Sequence, residues 1–408
     1  MSDIKKNIAL LLLVQISNYA FPLISLPYLM RTLGAQEFGM IAISQAIIQY
    51  CIIFSDYGFN LSATRRLAIS DTSNEFNKIF FSTFIAKLIL VIFCGMVLFF
   101  VFPFIHGTQY NSAATAILFL SVIGNLLFPL YLFQALESMA KIVWITIIAK
   151  FLSLMSVFFL VNNKDDILGA ALSLSLGLVV SGLISVIYIF KKKIISYTAI
   201  SFNDIKESFA DGFPLFVSNL AISFYTTFNV LLAGHQFSIE TVGNFSAAER
   251  LRMAVQSLFA PVQQVIFPRV NKIYNKERSL KSAMLKFGCV FILFGATLTF
   301  LMVLFGKVLS ALYFGEKYCI APELFMKMSP LFVIISLSIV LGQWGLVVLG
   351  RSKNLSKIYI VGALCHLLYI FPFIKYFSIS GLVYSVILTE LLICSMMAFC
   401  LFFALKKK

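Results

Sequence analysis

Charge is what this chain has least of. Only 12% of its 408 residues are Asp, Glu, Lys or Arg, about half the share of an ordinary soluble domain. Acid is scarcer still, with 17 Asp and Glu against 32 Lys and Arg. Catalytic signatures are missing as well. No G-x-x-x-x-G-K-[ST] stretch exists to cradle a nucleotide, and no H-E-x-x-H exists to hold zinc. The three histidines (His106, His235 and His366) are scattered. The seven cysteines, at 51, 94, 289, 319, 365, 394 and 400, sit mostly inside apolar runs at spacings that suit neither a disulfide framework nor a metal site. These gaps predict no metal, no cofactor and no enzyme activity. Composition alone leaves an intramembrane glycosyltransferase or polymerase open, but no large loop is present to carry its active site.

What fills the chain is hydrocarbon. Hydrophobic residues make up 60% of it, and the mean hydropathy is +0.95. No soluble core hides that much apolar surface. A helix needs roughly 20 apolar residues to cross a bilayer. Twelve such runs are expected, at about 8–30, 37–57, 82–105, 113–135, 142–162, 167–190, 213–234, 242–267, 286–306, 325–349, 358–375 and 380–404. The first follows Lys5 and Lys6 but ends without a small-x-small cleavage pattern, so it reads as a retained span. The expected class is an all-α integral membrane protein of twelve transmembrane helices.

The net charge of +15 follows the same topology. If the N-terminus is cytoplasmic, 22 of the 32 basic residues fall in cytoplasmic segments, among them Arg65, Arg66, Lys191 to Lys193, Arg269, Arg278, Lys281 and Lys406 to Lys408. Only six fall in or near the opposite loops: Arg31, Lys164, Lys307, Lys317, Lys327 and Lys375. That asymmetry fits the positive-inside rule with both termini cytoplasmic, and it implies no nucleic-acid role. An offset of half the chain places Gly39 on Gly243 and Arg65 on Arg269. The expectation is therefore two pseudo-symmetric six-helix lobes, residues 1–200 and 201–408, around a central cavity. Such parallel repeats occur in secondary transporters. Prolines in the first and seventh runs (Pro22, Pro27 and Pro214) suit a bending gate, although membrane helices also tolerate proline without one.

Charges inside the runs are the chemical signal. Each costs about 2.5–3.5 kcal/mol at a helix centre, so intramembrane charges face cavities or pair with one another. In the eighth run Glu249, Arg252, Gln256 and Gln263 share one helical face, with Arg250 beside it. That face either lines an aqueous cavity or buries a Glu249–Arg252 pair. Lys150 lies well inside the fifth run and Glu390 near the middle of the twelfth. Glu390 is a candidate proton or cation site, or a neutral hydrogen-bonded acid. Glu249, Asp56 and Glu390 are the candidates for ion coupling; Asp56 alternatively offsets Arg65 and Arg66, and Lys87 is placed to snorkel. Arg250, Arg252, Lys150 and Arg31 against Glu249 would make a net positive cavity, suited to an anion. Guanidinium forks match phosphate oxygens in a bidentate manner.

Several stretches carry a family likeness. Pro27-Tyr28-Leu29-Met30-Arg31-Thr32-Leu33-Gly34, Phe38-Gly39 and Asp56-Tyr57-Gly58-Phe59-Asn60-Leu61-Ser62-Ala63-Thr64-Arg65 resemble the N-terminal signature of bacterial O-antigen repeat-unit flippases of the Wzx type. Asp211-Gly212-Phe213, Val242-Gly243-Asn244-Phe245, Ala247-Ala248-Glu249 and Phe267-Pro268-Arg269 resemble that family's second-half motifs. The family is one of polysaccharide transporters within the multidrug/oligosaccharidyl-lipid/polysaccharide exporter superfamily. The resemblance implies two lobes, alternating access and an inner-membrane location. It also implies an undecaprenyl-diphosphate-linked oligosaccharide as cargo, carried from the cytoplasmic to the periplasmic leaflet. Partners would be membrane lipid, a polysaccharide polymerase and a chain-length regulator. The rival readings are a cation-coupled drug or metabolite exporter of the same superfamily, or an integral-membrane polysaccharide polymerase.

Overall fold

The computed structural model describes residues 2–101, 110–277, 280, 284–315 and 317–406. His106, Arg278, Lys281, Lys407 and Lys408, used above for composition and topology, lie outside them. Every regular element among the described residues is helical. Among the described residues, ten helices are long and apolar enough to cross a membrane, against twelve expected runs. Two runs account for the difference. The first and second join in one helix, α1 (Ser2–Asp56), broken at Gly34, where φ is 80° and ψ is 176°. Only glycine takes that conformation without a steric penalty. The break is at this glycine; α1 runs helical through Pro27.

The eighth run falls short of a spanning helix because it is too polar, and it is also interrupted. It forms α11 (Ile239–Gln256) and α12 (Phe259–Glu277), separated by a turn at Ser257 and Leu258. Pro261 explains the interruption. It has no N–H for the Ser257 carbonyl four residues back, and its ring crowds that carbonyl.

The chain separates into two compact units. The first comprises Met1–Leu220 with Gly234–Ile239. After α1 it contains α2 (Phe59–Ala68), α3 (Ser73–Met96), α4 (Ser112–Leu118), α5 (Leu120–Leu127), α6 (Leu130–Ala135), α7 (Met139–Leu160) and α8 (Ile167–Lys191). It also takes most of α9 (Phe202–Tyr225). Small residues let these helices approach closely, as intramembrane packing requires. Gly124 of α5 sits so near the Leu178 and Val179 backbone of α8 that an added methyl would lie 2.5 Å from it. Polar pegs fix the crossings. The Tyr28 hydroxyl donates to the Val161 carbonyl at 2.8 Å, and Thr115 donates to Ser44 at 2.8 Å. Beneath α2 and α6, Leu67, Phe80, Tyr131, Leu132 and Phe133 form a buried cluster.

The second unit comprises Ala221–Ala233 with Glu240–Lys408. It holds α10 (Phe228–Gln236) up to Ala233, then α11, α12, α13 (Cys289–Phe314), α14 (Ala321–Met328), α15 (Pro330–Ile339), α16 (Ser352–Phe377) and α17 (Ser380–Lys406). The start of α14 is tied to α11 by Asn244, whose Oδ1 accepts from the Ile320 and Ala321 N–H groups at 3.0 Å each. Gly362 of α16 seats Ile393 of α17. Trp344 and Phe291 are fully buried and in ring contact at 4.9 Å. Many large side chains elsewhere are exposed, such as Phe159, Phe190, Leu293 and Leu368. In a chain of this composition such faces belong against lipid.

Candidate functional site

In the first unit, the Asp56-Tyr57-Gly58-Phe59-Asn60 block is a sharp corner between α1 and α2. Tyr57 and Gly58 both have positive φ, at 43° and 78°. A methyl at Gly58 would meet Leu215 Cβ at 2.5 Å and the Gly212 carbonyl at 2.8 Å. Gly212 in turn lies against the Tyr57 carbonyl. The Tyr57 ring stacks on Phe216 at 4.5 Å and 12°. Arg66 pairs with Glu207 at 3.0 Å and with Asp211 at 3.5 Å. The Asp-Tyr-Gly-Phe-Asn block and the Asp-Gly-Phe stretch, about 150 residues apart in the chain, thus pack on one another.

Asp56 does not offset Arg65 and Arg66. Its Oδ1 accepts from Lys87 Nζ at 2.7 Å and from Asn125 Nδ2 at 2.9 Å. Lys87 is 1% exposed, so it does not snorkel. Its ammonium also reaches the Asn125 carbonyl at 3.5 Å. Burial of an ammonium this deep is tolerable because its charge is met by a carboxylate. Arg31 is exposed on α1, and Lys150 is half-buried on α7.

The second unit contains a cavity enclosing about 530 Å³, its open mouth included. Glu249, Arg252 and Gln256 of α11, Tyr225 and Asn229, and Glu390 of α17 supply its polar wall. Leu331, Ile335 and Val386 are among the apolar lining. The i, i+3, i+7 spacing of Glu249, Arg252 and Gln256 puts them on one face, as expected. Arg252 donates from Nε to Glu249 Oε2 at 2.8 Å, from Nη2 to Glu249 Oε1 and from Nη1 to Gln256 Oε1. Three of its five N–H donors are thereby engaged, so the bidentate Glu249–Arg252 pair exists and it also faces a cavity. The two alternatives left open by the sequence are both realised. Gln263 lies beyond the Pro261 break and instead donates to Gln343.

Arg250 is not among the residues lining this cavity; its charge is within reach of Tyr313 and Glu249. Of the candidates, the structure brings Glu249, Arg252 and Glu390 together. Arg31, Asp56 and Lys150 belong to the first unit. The cavity of the second unit carries one guanidinium and two carboxyl groups, a different balance from the positive cavity expected. Sequence reading passed over Asn125, Asn229 and Tyr225. No periodic signal marks them, because each is defined by what a distant helix brings to it. Among the described residues no cluster of three or more His, Cys, Asp or Glu is arranged to hold a metal ion.

Comparison with known proteins gives the family and the fold. Residues 4–274 match the polysaccharide biosynthesis protein family. A protein of Shigella dysenteriae described as an O-antigen transporter is 37% identical over 399 residues, covering 95% of this chain and 98% of the relative. Another with that description, from Escherichia coli strain K12, is 33% identical over 400 residues, covering 97% and 96%. Among solved structures, an inward-closed lipid II flippase MurJ superposes with a TM-score of 0.79 at 11% identity, covering 95% of this chain and 87% of that one. An inward-facing multidrug resistance MATE family transporter of the MOP superfamily gives 0.75 at 13% identity, covering 96% and 94%. At such identities the two structures speak to the fold.

Proposed function

This chain belongs to the polysaccharide biosynthesis protein family, and from that membership we propose that it is a flippase for lipid-linked oligosaccharides. The cargo is an undecaprenyl-diphosphate-linked O-antigen repeat unit, moved by alternating access from the cytoplasmic to the periplasmic leaflet of the inner membrane. On this reading the twelve runs, with the first two joined through Gly34 and the eighth crossing as α11 and α12, make up two six-helix lobes, residues 1–200 and 201–408. The observation that carries the reading is the charged wall of Arg252, Glu249 and Glu390 on a cavity of the second unit. Intramembrane charge of this kind marks a transport path. Arg250, Arg252, Lys150 and Arg31 supply cations for the diphosphate. Glu249 holds Arg252, Asp56 holds Lys87, and Glu390 is the carboxyl left to couple an ion. The polymerase and chain-length regulator act on the delivered unit.

Removing the protein is expected to leave the lipid-linked repeat unit accumulated in the cytoplasmic leaflet. Arg250→Ala is expected to abolish surface glycan at normal protein abundance, because a charge-assisted hydrogen bond to phosphate is worth roughly 1.5–3 kcal/mol. Arg250→Lys retains charge without the fork and keeps part of the export. Normal export by Arg250→Ala sinks the anion-binding role. One observation favours a second reading, cation-coupled export of a drug or metabolite: the cavity of the second unit holds two carboxyl groups to one guanidinium. Gradient-driven extrusion of a cationic dye, with repeat-unit delivery unaffected by deletion, would decide for it.

Both termini are cytoplasmic on this reading. Single cysteines at Lys192 and Lys353, in a cysteine-free background, should stay shielded from an impermeant thiol reagent in intact cells, while one at Asp165 reacts. Labelling at position 192 reverses the orientation.

A further inference from the structure

His366, on α16, is fully buried, and both its ring nitrogens are bonded across to other helices. Nε2 lies 3.0 Å from Asn229 Oδ1, and Nδ1 lies 2.7 Å from Thr389 Oγ1. The first contact is fixed in sense. Asn229 Nδ2 donates to the Tyr225 carbonyl at 3.1 Å, so the amide oxygen is what faces the imidazole. An amide oxygen only accepts, and Nε2 therefore carries a proton.

The second contact is reversible. Thr389 Oγ1 lies 2.7 Å from Nδ1 and also 2.7 Å from the Ser385 carbonyl, an acceptor. The Tyr369 hydroxyl lies 2.5 Å from the same oxygen and can donate to it. With His366 neutral, the Thr389 hydroxyl donates to the Nδ1 lone pair. With His366 charged, Nδ1–H donates to Thr389, whose hydroxyl turns to the Ser385 carbonyl. Every polar atom stays bonded in both states, and only a hydroxyl rotates. A buried histidine kept for packing alone needs no such two-way partner.

Position adds a second, independent observation. Asn229 and Tyr225 line the charged cavity on its one side and contact His366 on the other, the Tyr225 ring at 6.4 Å. Glu390, which follows Thr389 on α17, lines the same cavity. The titratable and charged groups around the imidazole are thus Tyr225 of α9, Tyr369 and Cys365 of α16, Glu390 of α17, and the Glu249–Arg252 pair of α11 across the cavity. On α10, Asn229 contributes a neutral amide.

We propose that His366 is a reversible proton-binding site serving the transport cycle, with Thr389 as its hydroxyl rotor. On uptake, an O–H bond of a hydronium ion breaks and its proton joins the Tyr369 hydroxyl oxygen, the Tyr369 proton passes to Thr389 Oγ1 and the Thr389 proton to the Nδ1 lone pair, leaving water behind and the positive charge on the ring. The site itself stands on geometry; its place in the cycle rests on the transport reading above.

The direct test is titration of the ring in the whole protein. The protein is labelled with 15N-histidine in a His106→Gln/His235→Gln background and followed by NMR from about pH 4 to about pH 9, a range that brackets imidazole. The expected result is two unlike ring nitrogens at high pH, one protonated and one bare, that become two protonated nitrogens at low pH. Thr389→Val should move the midpoint by removing the two-way partner of Nδ1, while Thr389→Ser leaves it in place. A ring that stays in the Nε2–H form throughout overturns the proposal, as does a midpoint indifferent to Thr389→Val. In vesicles carrying undecaprenyl-diphosphate-linked oligosaccharide, His366→Gln should lose the response of transport to an imposed pH difference. A variant that keeps that response overturns the proposal too. Wild-type protein that titrates yet moves no such lipid supports the proton site and overturns the transport reading instead.

Discussion

Lys87→Ala is expected to lower stability by about 3–5 kcal/mol, the cost of stranding one partner of a buried ion pair. The lysine is 1% exposed and its ammonium is held by Asp56 at 2.7 Å. Removing it leaves the Asp56 carboxylate with only the Asn125 amide as donor, at the corner where α1 turns into α2. The loss should appear as a lower thermal midpoint in detergent and reduced abundance in the membrane. Charge, not volume, is the cause, so Lys87→Met should behave like Lys87→Ala. Combining Lys87→Met with Asp56→Asn should recover most of the loss, because a buried pair replaced as a whole is often nearly neutral. The two changes are in contact and are not expected to add. A Lys87→Ala protein as stable as the parent would mean that the pair contributes nothing.

Glu249→Gln is expected to be comparably damaging in the second unit, again by about 3–5 kcal/mol. Arg252 is buried, and Glu249 meets two of its nitrogens. A glutamine keeps the shape but brings no negative charge and only one acceptor oxygen. Gln256 remains as a neutral acceptor. Arg252→Lys should lose less than Glu249→Gln, since an ammonium still meets the carboxylate although the fork is gone. Arg252→Gln together with Glu249→Gln should restore abundance. The alternative, that Glu249 changes protonation during transport, predicts something else: Glu249→Gln folds normally and loses only its response to an imposed gradient. Thermal stability and gradient response measured on the same preparation separate the two.

These two pairs differ in how visible they are along the chain. Glu249 and Arg252 are three residues apart on one helix, and helical periodicity alone makes them neighbours. Asp56 and Lys87 are separated by 31 residues and lie on different helices, so the sequence pointed Lys87 toward the membrane surface and Asp56 toward two arginines. The same divide runs through the motifs. The Asp56–Asn60 block and the Asp211–Phe213 stretch stand out as sequence, but that Gly58 and Gly212 exist to let α2 and α9 touch follows only from the packing.

The helical class, the membrane setting and most spans were legible because hydropathy is a property of consecutive residues, and a bilayer imposes the length at which it counts. The Gly34 break and the split of the eighth run at Pro261 have local causes, yet their effect on span count required the backbone itself. Tertiary structure alone decided which buried charges meet, that Arg252 is spoken for by Glu249 and Gln256 while Arg250 lies outside their cavity, and that His366 has oxygen partners at both nitrogens. The physical reason is one of range. Apolar burial is summed along a segment and survives small shifts in packing. A hydrogen bond or ion pair instead depends on a separation of about 3 Å, fixed by the rotation and register of helices that the chain brings together from far apart.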